Sequence, residues 1–128
     1  MNNNKTDYRI VLDVDGTICD KKKLTYPEAI PDFDVIKKII EYKQKGFYII
    51  LYTSRQMRTY HNNVGKINAN TLPPLINWLK KHDVPFDEIH VGKPWCGFKG
   101  FYVDDKSISP EEFKTLSYTE IVNKLGVE

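Results

Sequence analysis

Arg9-Ile10-Val11-Leu12-Asp13-Val14-Asp15-Gly16-Thr17 is the stretch on which the reading of this chain turns. The run is apolar and β-branched, as a buried strand is, yet it carries two carboxylates and ends on a Gly-Thr step. Burying an aspartate costs free energy unless a metal ion or strong hydrogen-bond donors pair with it. At positions i and i+2 of a strand, Asp13 and Asp15 point to one side of the sheet. A strand ending in a plain Asp-Gly turn accounts for Asp15-Gly16 but gives Asp13 no reason to sit inside the run. Two carboxylates at the carboxyl end of a buried strand suit a hard cation and acid–base chemistry.

Outward from this run, apolar stretches alternate with helical patterns. The first strand covers residues 8–14. Residues 33–45 follow as a helix, with Val35, Ile36, Ile39 and Ile40 on one face, Asp32 as cap and Gly46 as stop. Phe47 to Tyr52 is a near-continuous apolar run, as in a strand covered on both faces. A second helix fits 72–82, with Thr71 as cap, Pro73 and Pro74 in the first turn, and Leu75, Ile76 and Leu79 as its stripe. Residues 88–91 make a third strand and 100–103 a fourth. Ser109-Pro110-Glu111-Glu112 reads as a capping box, and a last helix over 118–125 stops near Gly126. This alternation predicts a single α/β domain over 1–128: a Rossmann-like parallel sheet flanked by helices in a three-layer sandwich. Two segments fit neither pattern. Cys19 to Pro31 is polar and proline-bounded, and the sixteen residues 55–70 are polar without periodicity. A loop that long in a compact domain points to function.

The bulk numbers narrow the class. At 128 residues, with 41% hydrophobic and 28% charged residues, the chain is an ordinary globular domain. A net charge of +2 exerts no general pull on nucleic acid, and the lysines of Lys21-Lys22-Lys23 and Lys80-Lys81 read as solvated faces. Two cysteines, Cys19 and Cys96, are too few for a disulfide scaffold and read as small buried hydrophobes in a reducing compartment. No apolar run approaches a membrane span of about 20 residues, and no signal-like segment follows Met1-Asn2-Asn3-Asn4-Lys5. The expectation is a cytoplasmic protein.

In a parallel sheet the carboxyl ends of the strands share one edge, and ligands bind there. That edge would gather Asp13 and Asp15, then Thr53-Ser54-Arg55, then Gly92-Lys93-Pro94, then Asp104-Asp105. Such a set suits phosphoryl transfer, whose transition state spreads negative charge over three equatorial oxygens. Mg2+ takes oxygen ligands and binds substrate phosphate directly. With charge so neutralised, an aspartate can attack phosphorus, and a second carboxylic acid can protonate the departing alkoxide.

These residues resemble the haloacid dehalogenase (HAD) superfamily. Asp13-Val14-Asp15-Gly16-Thr17 looks like its first motif, Thr53 its second, Lys93 its third and Asp104-Asp105 its acidic fourth, so the resemblance spans residues 9–105. It implies Asp13 as nucleophile, Asp15 as general acid/base, and Thr53, the Ser54 backbone N–H and Lys93 as phosphate-binding groups. It also implies Mg2+ held by the Asp13 side chain, the Asp15 backbone carbonyl and Asp104 or Asp105. An acid at Asp15 favours the phosphatase branch over the dehalogenase branch. Residues 64–68 and 92–97 further resemble small HAD proteins associated with capsular or surface-polysaccharide biosynthesis. Family cap domains enter after the first motif or between the second and third; here those gaps hold 37 and 39 residues, each including a helix. Neither admits a folded cap. Capless members act on large or exposed substrates or cover the site by homo-oligomerisation.

The resulting expectation is a Mg2+-dependent phosphatase acting on a small phosphomonoester, such as a sugar phosphate. Arg55, Arg58 and His61 are candidates to read the leaving group or are simply solvated, and Trp95 and Phe98 either pack on the core or stack on substrate. Two rivals stand beside it: a phosphatase for nucleic-acid ends or protein, and a receiver-like signalling domain that accepts phosphate without turnover. In receiver domains the acceptor aspartate ends a middle strand, whereas the Asp-x-Asp pair here ends the first.

Overall fold

Parallel pairing organises the first part of the chain. In the computed structural model, which describes residues 7–21 and 25–127, strand β1 (Arg9–Leu12) pairs with β2 (Tyr48–Tyr52), and β2 pairs with β3 (Glu88–His90). Both pairs are parallel, with Leu12 opposite Leu51 and Tyr52 opposite His90. The central strand is the most apolar, and Ile49, Ile50 and Leu51 are buried, as expected where both faces are covered. The sheet is flanked by helices α1 (Phe33–Gln44), α2 (Val64–Asn70) and α3 (Leu72–Lys81). Val35, Ile36 and Ile39 of α1 join Ile67, Leu75 and Leu79 in the core. The described part of the N-terminal lysine run is Lys21; Lys22, Lys23 and residues 1–6 lie outside the described residues.

Local chemistry explains the boundaries. The Asp32 side chain accepts hydrogen bonds from the Asp34 and Val35 N–H groups and so caps α1. Asp87 Oδ2 accepts from the Ile49 N–H at 2.8 Å, while Lys43 Nζ lies 2.7 Å from its carboxylate. That pairing fastens the start of β3 to β2.

Three expectations need correction. Residues 55–70 are not one structureless loop. Asn63 accepts from the Lys66 N–H and caps α2, a helix with one buried apolar residue, Ile67, and so without a readable stripe. Before it, Gln56, His61 and Asn62 adopt positive φ, which breaks any periodicity. Thr71, expected to cap α3 through its side chain, has helical backbone angles because it continues from α2; its hydroxyl bonds the Gln56 side chain instead.

The third concerns 100–103, where no strand forms among the described residues. Phe101 and Val103 are 80% and 89% exposed, and an apolar run becomes a strand only when a neighbour takes its backbone hydrogen bonds. Gly100 sits where a Cβ would collide with the Cys96 carbonyl oxygen, so the chain just before this run is tightly turned.

The contacts divide the chain into two compact units, Met1–Trp95 and Cys96–Glu128. The second holds α4 (Pro110–Thr115) and α5 (Tyr118–Leu125), joined by an ion pair between Lys124 and Glu112. The Ser109–Glu112 capping box forms as its spacing predicts, and Ser117–Glu120 forms another. Gly126, at φ 67°, ends α5 in the left-handed conformation. Among the described residues, no helix is long and apolar enough to cross a membrane.

Candidate active site

Strand β1 ends at Leu12, so Asp13 and Asp15 lie just beyond it, on a tight turn rather than within the strand. The Thr17 and Ile18 N–H groups both bond back to the Val14 carbonyl, and the Gly16 N–H bonds the Cys19 carbonyl at 2.7 Å. Gly16 has φ +87°, a conformation that strains residues with a Cβ. The turn therefore needs glycine immediately after the second carboxylate.

Parallel pairing carries the next two groups to the same edge. The Thr53 N–H bonds the His90 carbonyl at 2.9 Å, and the Lys93 N–H bonds the Thr53 carbonyl at 3.1 Å. Lys93 Nζ then lies 3.6 Å from Asp13 Oδ1, and the Thr17 hydroxyl lies 3.5 Å from Asp13 Oδ2. Burial raises the Asp13 carboxyl above the ordinary aspartate value, Lys93 opposes the rise, and the charge of Asp15 adds to it. Thr53 is fully buried, and its hydroxyl oxygen accepts the Arg55 N–H at 3.0 Å.

Asp15 has a different set of neighbours. Arg55 Nη1 lies 3.1 Å from its Oδ1, and the Tyr26 hydroxyl donates to its Oδ2 at 3.0 Å. The Cys19 thiol sits 3.7 Å from Oδ1. Burial and the neighbouring Asp15 charge push the Cys19 thiol up to about 12 and the Tyr26 hydroxyl well above the usual tyrosine range. Both groups therefore keep their protons across the working pH range, Tyr26 as a hydrogen-bond donor and Cys19 as an unreactive thiol.

The first unit thus brings Asp13, Asp15, Thr53, Arg55 and Lys93 together, with Ser54 in the link between Thr53 and Arg55. Arg58 and His61 are exposed. The Arg58 guanidinium lies 6.0 Å from the centre of the Trp95 ring. Trp95 and Phe98, at 41% and 80% exposed, are not core residues. Asp104 and Asp105 belong to the second unit, where Asp104 Oδ1 accepts the Lys106 N–H at 2.9 Å in a local turn. Tyr26 is a site residue that the sequence pattern alone does not single out. Its signal was faint, a single aromatic next to proline in an otherwise polar segment.

Among the described residues no three His, Cys, Asp or Glu side chains converge on one point. Mg2+ does not require such a cage, since it keeps several waters and binds through one or two carboxylates plus substrate phosphate. Oxygen-only donors at the end of β1, one of them a carboxylate whose charge burial disfavours, fit that ion.

Residues 10–78 match the family profile of haloacid dehalogenase-like hydrolases. The chain belongs to that family. The fold agrees: the crystal structure of a target protein from Vibrio cholerae superimposes with a TM-score of 0.91 at 47% identity, covering 93% of this chain and 97% of that one. No curated protein matches the chain significantly. As an HAD-like hydrolase the protein is an enzyme of hydrolytic class, built on a parallel α/β sheet with Asp13 and Asp15 just beyond the end of β1.

Proposed function

We propose that this HAD-like hydrolase is a Mg2+-dependent phosphatase that passes a phosphoryl group through Asp13. The observation carrying this reading is the different surroundings of the two carboxylates. Asp13 faces the Lys93 ammonium, as an attacking group must where phosphate oxygens need neutralising. Asp15 is held by donors on a neighbouring position, suited to moving a proton. In the first step an Asp13 oxygen bonds to phosphorus, the bond from phosphorus to the leaving oxygen breaks, and that oxygen takes a proton from Asp15. In the second, Asp15 removes a proton from water, whose oxygen bonds to phosphorus, and the bond to Asp13 breaks with release of inorganic phosphate. Thr53 and the Ser54 N–H orient the phosphoryl oxygens, and Lys93 offsets their charge. Mg2+ would be held by the Asp13 carboxylate and the Asp15 backbone carbonyl. When bound it supplies positive charge against the developing phosphoryl charge.

The substrate class follows from what flanks the site. Between Asp15 and Thr53 the described residues form one short 3-10 turn, α1 and strand β2, in keeping with a capless enzyme whose pocket is open to a small sugar phosphate or a polysaccharide precursor. Arg58 beside Trp95 forms a cationic, aromatic surface of the kind that binds phosphorylated sugars. The test is phosphate release from a panel of phosphomonoesters, with and without Mg2+, ranked by kcat/KM. Sugar phosphates should lead the ranking, and turnover should vanish in chelator. Activity that is indifferent to chelator, or confined to phosphoproteins or nucleic-acid ends, would contradict the reading.

A further inference from the structure

The segment that follows the first carboxylates is folded back on itself. The Asp20 N–H bonds the Ile30 carbonyl at 3.0 Å, the Asp32 N–H bonds the Ile18 carbonyl at 2.8 Å, and Cys19 bridges Pro31 in antiparallel fashion. Among the described residues of this segment the 3-10 turn Tyr26–Glu28 is fastened to α3: Trp78 Nε1 donates to the Ala29 carbonyl at 3.1 Å, and the Tyr26 and Trp78 rings lie 6.4 Å apart. The arrangement buries Tyr26 to 3% exposure and aims its hydroxyl at Asp15 Oδ2. The Arg55 guanidinium lies 4.7 Å from the centre of the same ring and reaches Asp15 Oδ1. Each oxygen of Asp15 thereby has its own donor, and rotation of the carboxylate about its Cβ–Cγ bond is blocked. The Tyr26 phenol has no hydrogen-bonding duty in the core, since the turn itself is held by Trp78 and by the Ala29 N–H on the Tyr26 carbonyl.

We infer that Tyr26 is a positioning residue: with Arg55 it fixes the Asp15 carboxylate so that one oxygen meets the leaving group. This rests on the phosphatase reading and goes beyond it by assigning a task to the loop that stands after the first strand. A general acid acts only if its proton lies within hydrogen-bond reach of the departing oxygen, and small misplacement at a remote contact costs rate rather than binding.

The test is Tyr26→Phe with two substrates. The variant keeps the ring against Trp78 and beside Arg55, and loses the hydroxyl alone. Glycerol phosphate has an alkoxide leaving group that needs a proton, whereas para-nitrophenyl phosphate leaves as a stabilised phenolate that does not. For glycerol phosphate kcat should fall about tenfold, the effect of losing one hydrogen bond to a charged group. For para-nitrophenyl phosphate the pre-steady-state burst of nitrophenolate, which reports the first step alone, should stay within about twofold, because that step draws little on the acid. KM should hold for both. A nitrophenolate burst slowed as much as glycerol phosphate turnover would make Tyr26 a structural residue and overturn the inference, as would no loss on either substrate. A raised KM with kcat intact would put the hydroxyl on the substrate and overturn it too. A wild type inert toward both substrates would remove the phosphatase reading and the inference with it, an outcome distinct from a wild type that turns both over while Tyr26→Phe shows no selectivity.

Discussion

Lys93 Nζ stands 3.6 Å from Asp13 Oδ1, and its own N–H is bonded to the carbonyl of Thr53. One residue thus ties the carboxylate at the end of β1 to the threonine at the end of β2. Lys93→Met keeps the aliphatic stem and deletes the charge. We expect kcat/KM for a phosphomonoester to fall by about 100-fold or more, the scale of losing one fixed donor for the transition-state charge. Inhibition by inorganic phosphate should weaken as well. Steady-state kinetics with phosphate as inhibitor checks both.

Asp13 is costly to keep ionised, because burial raises its pKa above the unfolded value of 3.8. For a group raised in the folded state, stability is fully present below the unfolded pKa and is lost as pH rises through the folded one. Asp13→Asn should therefore melt above wild type at neutral pH without metal, and the gap should close as pH falls below about 4, where both states are protonated. Adding Mg2+ should narrow the gap at neutral pH by supplying the missing charge. Thermal melts across pH, with and without the ion, decide this.

Asp32 accepts hydrogen bonds from the Asp34 and Val35 N–H groups at the head of α1. Asp32→Ala should cost about 1 kcal/mol of unfolding free energy, read as a lower denaturation midpoint. Because the cap serves the head of α1, kcat should remain within about twofold.

Trp78 Nε1 holds the Ala29 carbonyl from a buried position. Trp78→Phe leaves that carbonyl without its donor and should destabilise the domain by about 1–3 kcal/mol. Unlike the Asp32 variant it should also slow alkyl phosphate hydrolysis, since the turn carrying Tyr26 loses its anchor. Denaturant melts paired with kinetics on both substrate types separate the two variants.

What could be seen in the sequence was whatever depends on neighbours close along the chain or on strand order. β-branched runs and a capped amphipathic stripe mark β1, β2 and α1, and in a parallel sheet the residue after each strand must reach one edge. That rule brings Thr53-Ser54-Arg55 and Gly92-Lys93-Pro94 to the edge, and the resemblance to the family singles out Thr53 and Lys93 within them. Tyr26 was hidden because its position depends on Trp78, far along the chain. Helix α2 was hidden because one buried residue, Ile67, makes no stripe. The run 100–103 misled because apolar side chains supply the propensity for a strand but not the partner that completes it.

Phosphoryl transfer through Asp13 can be observed by acid-quenched mass spectrometry of the protein during turnover of para-nitrophenyl phosphate with Mg2+. A phosphoryl group is expected on the peptide bearing Asp13, absent from Asp13→Asn, which also releases no phosphate. Undiminished phosphate release by Asp13→Asn, with no phosphoryl group on that peptide in the wild type, would contradict transfer through Asp13.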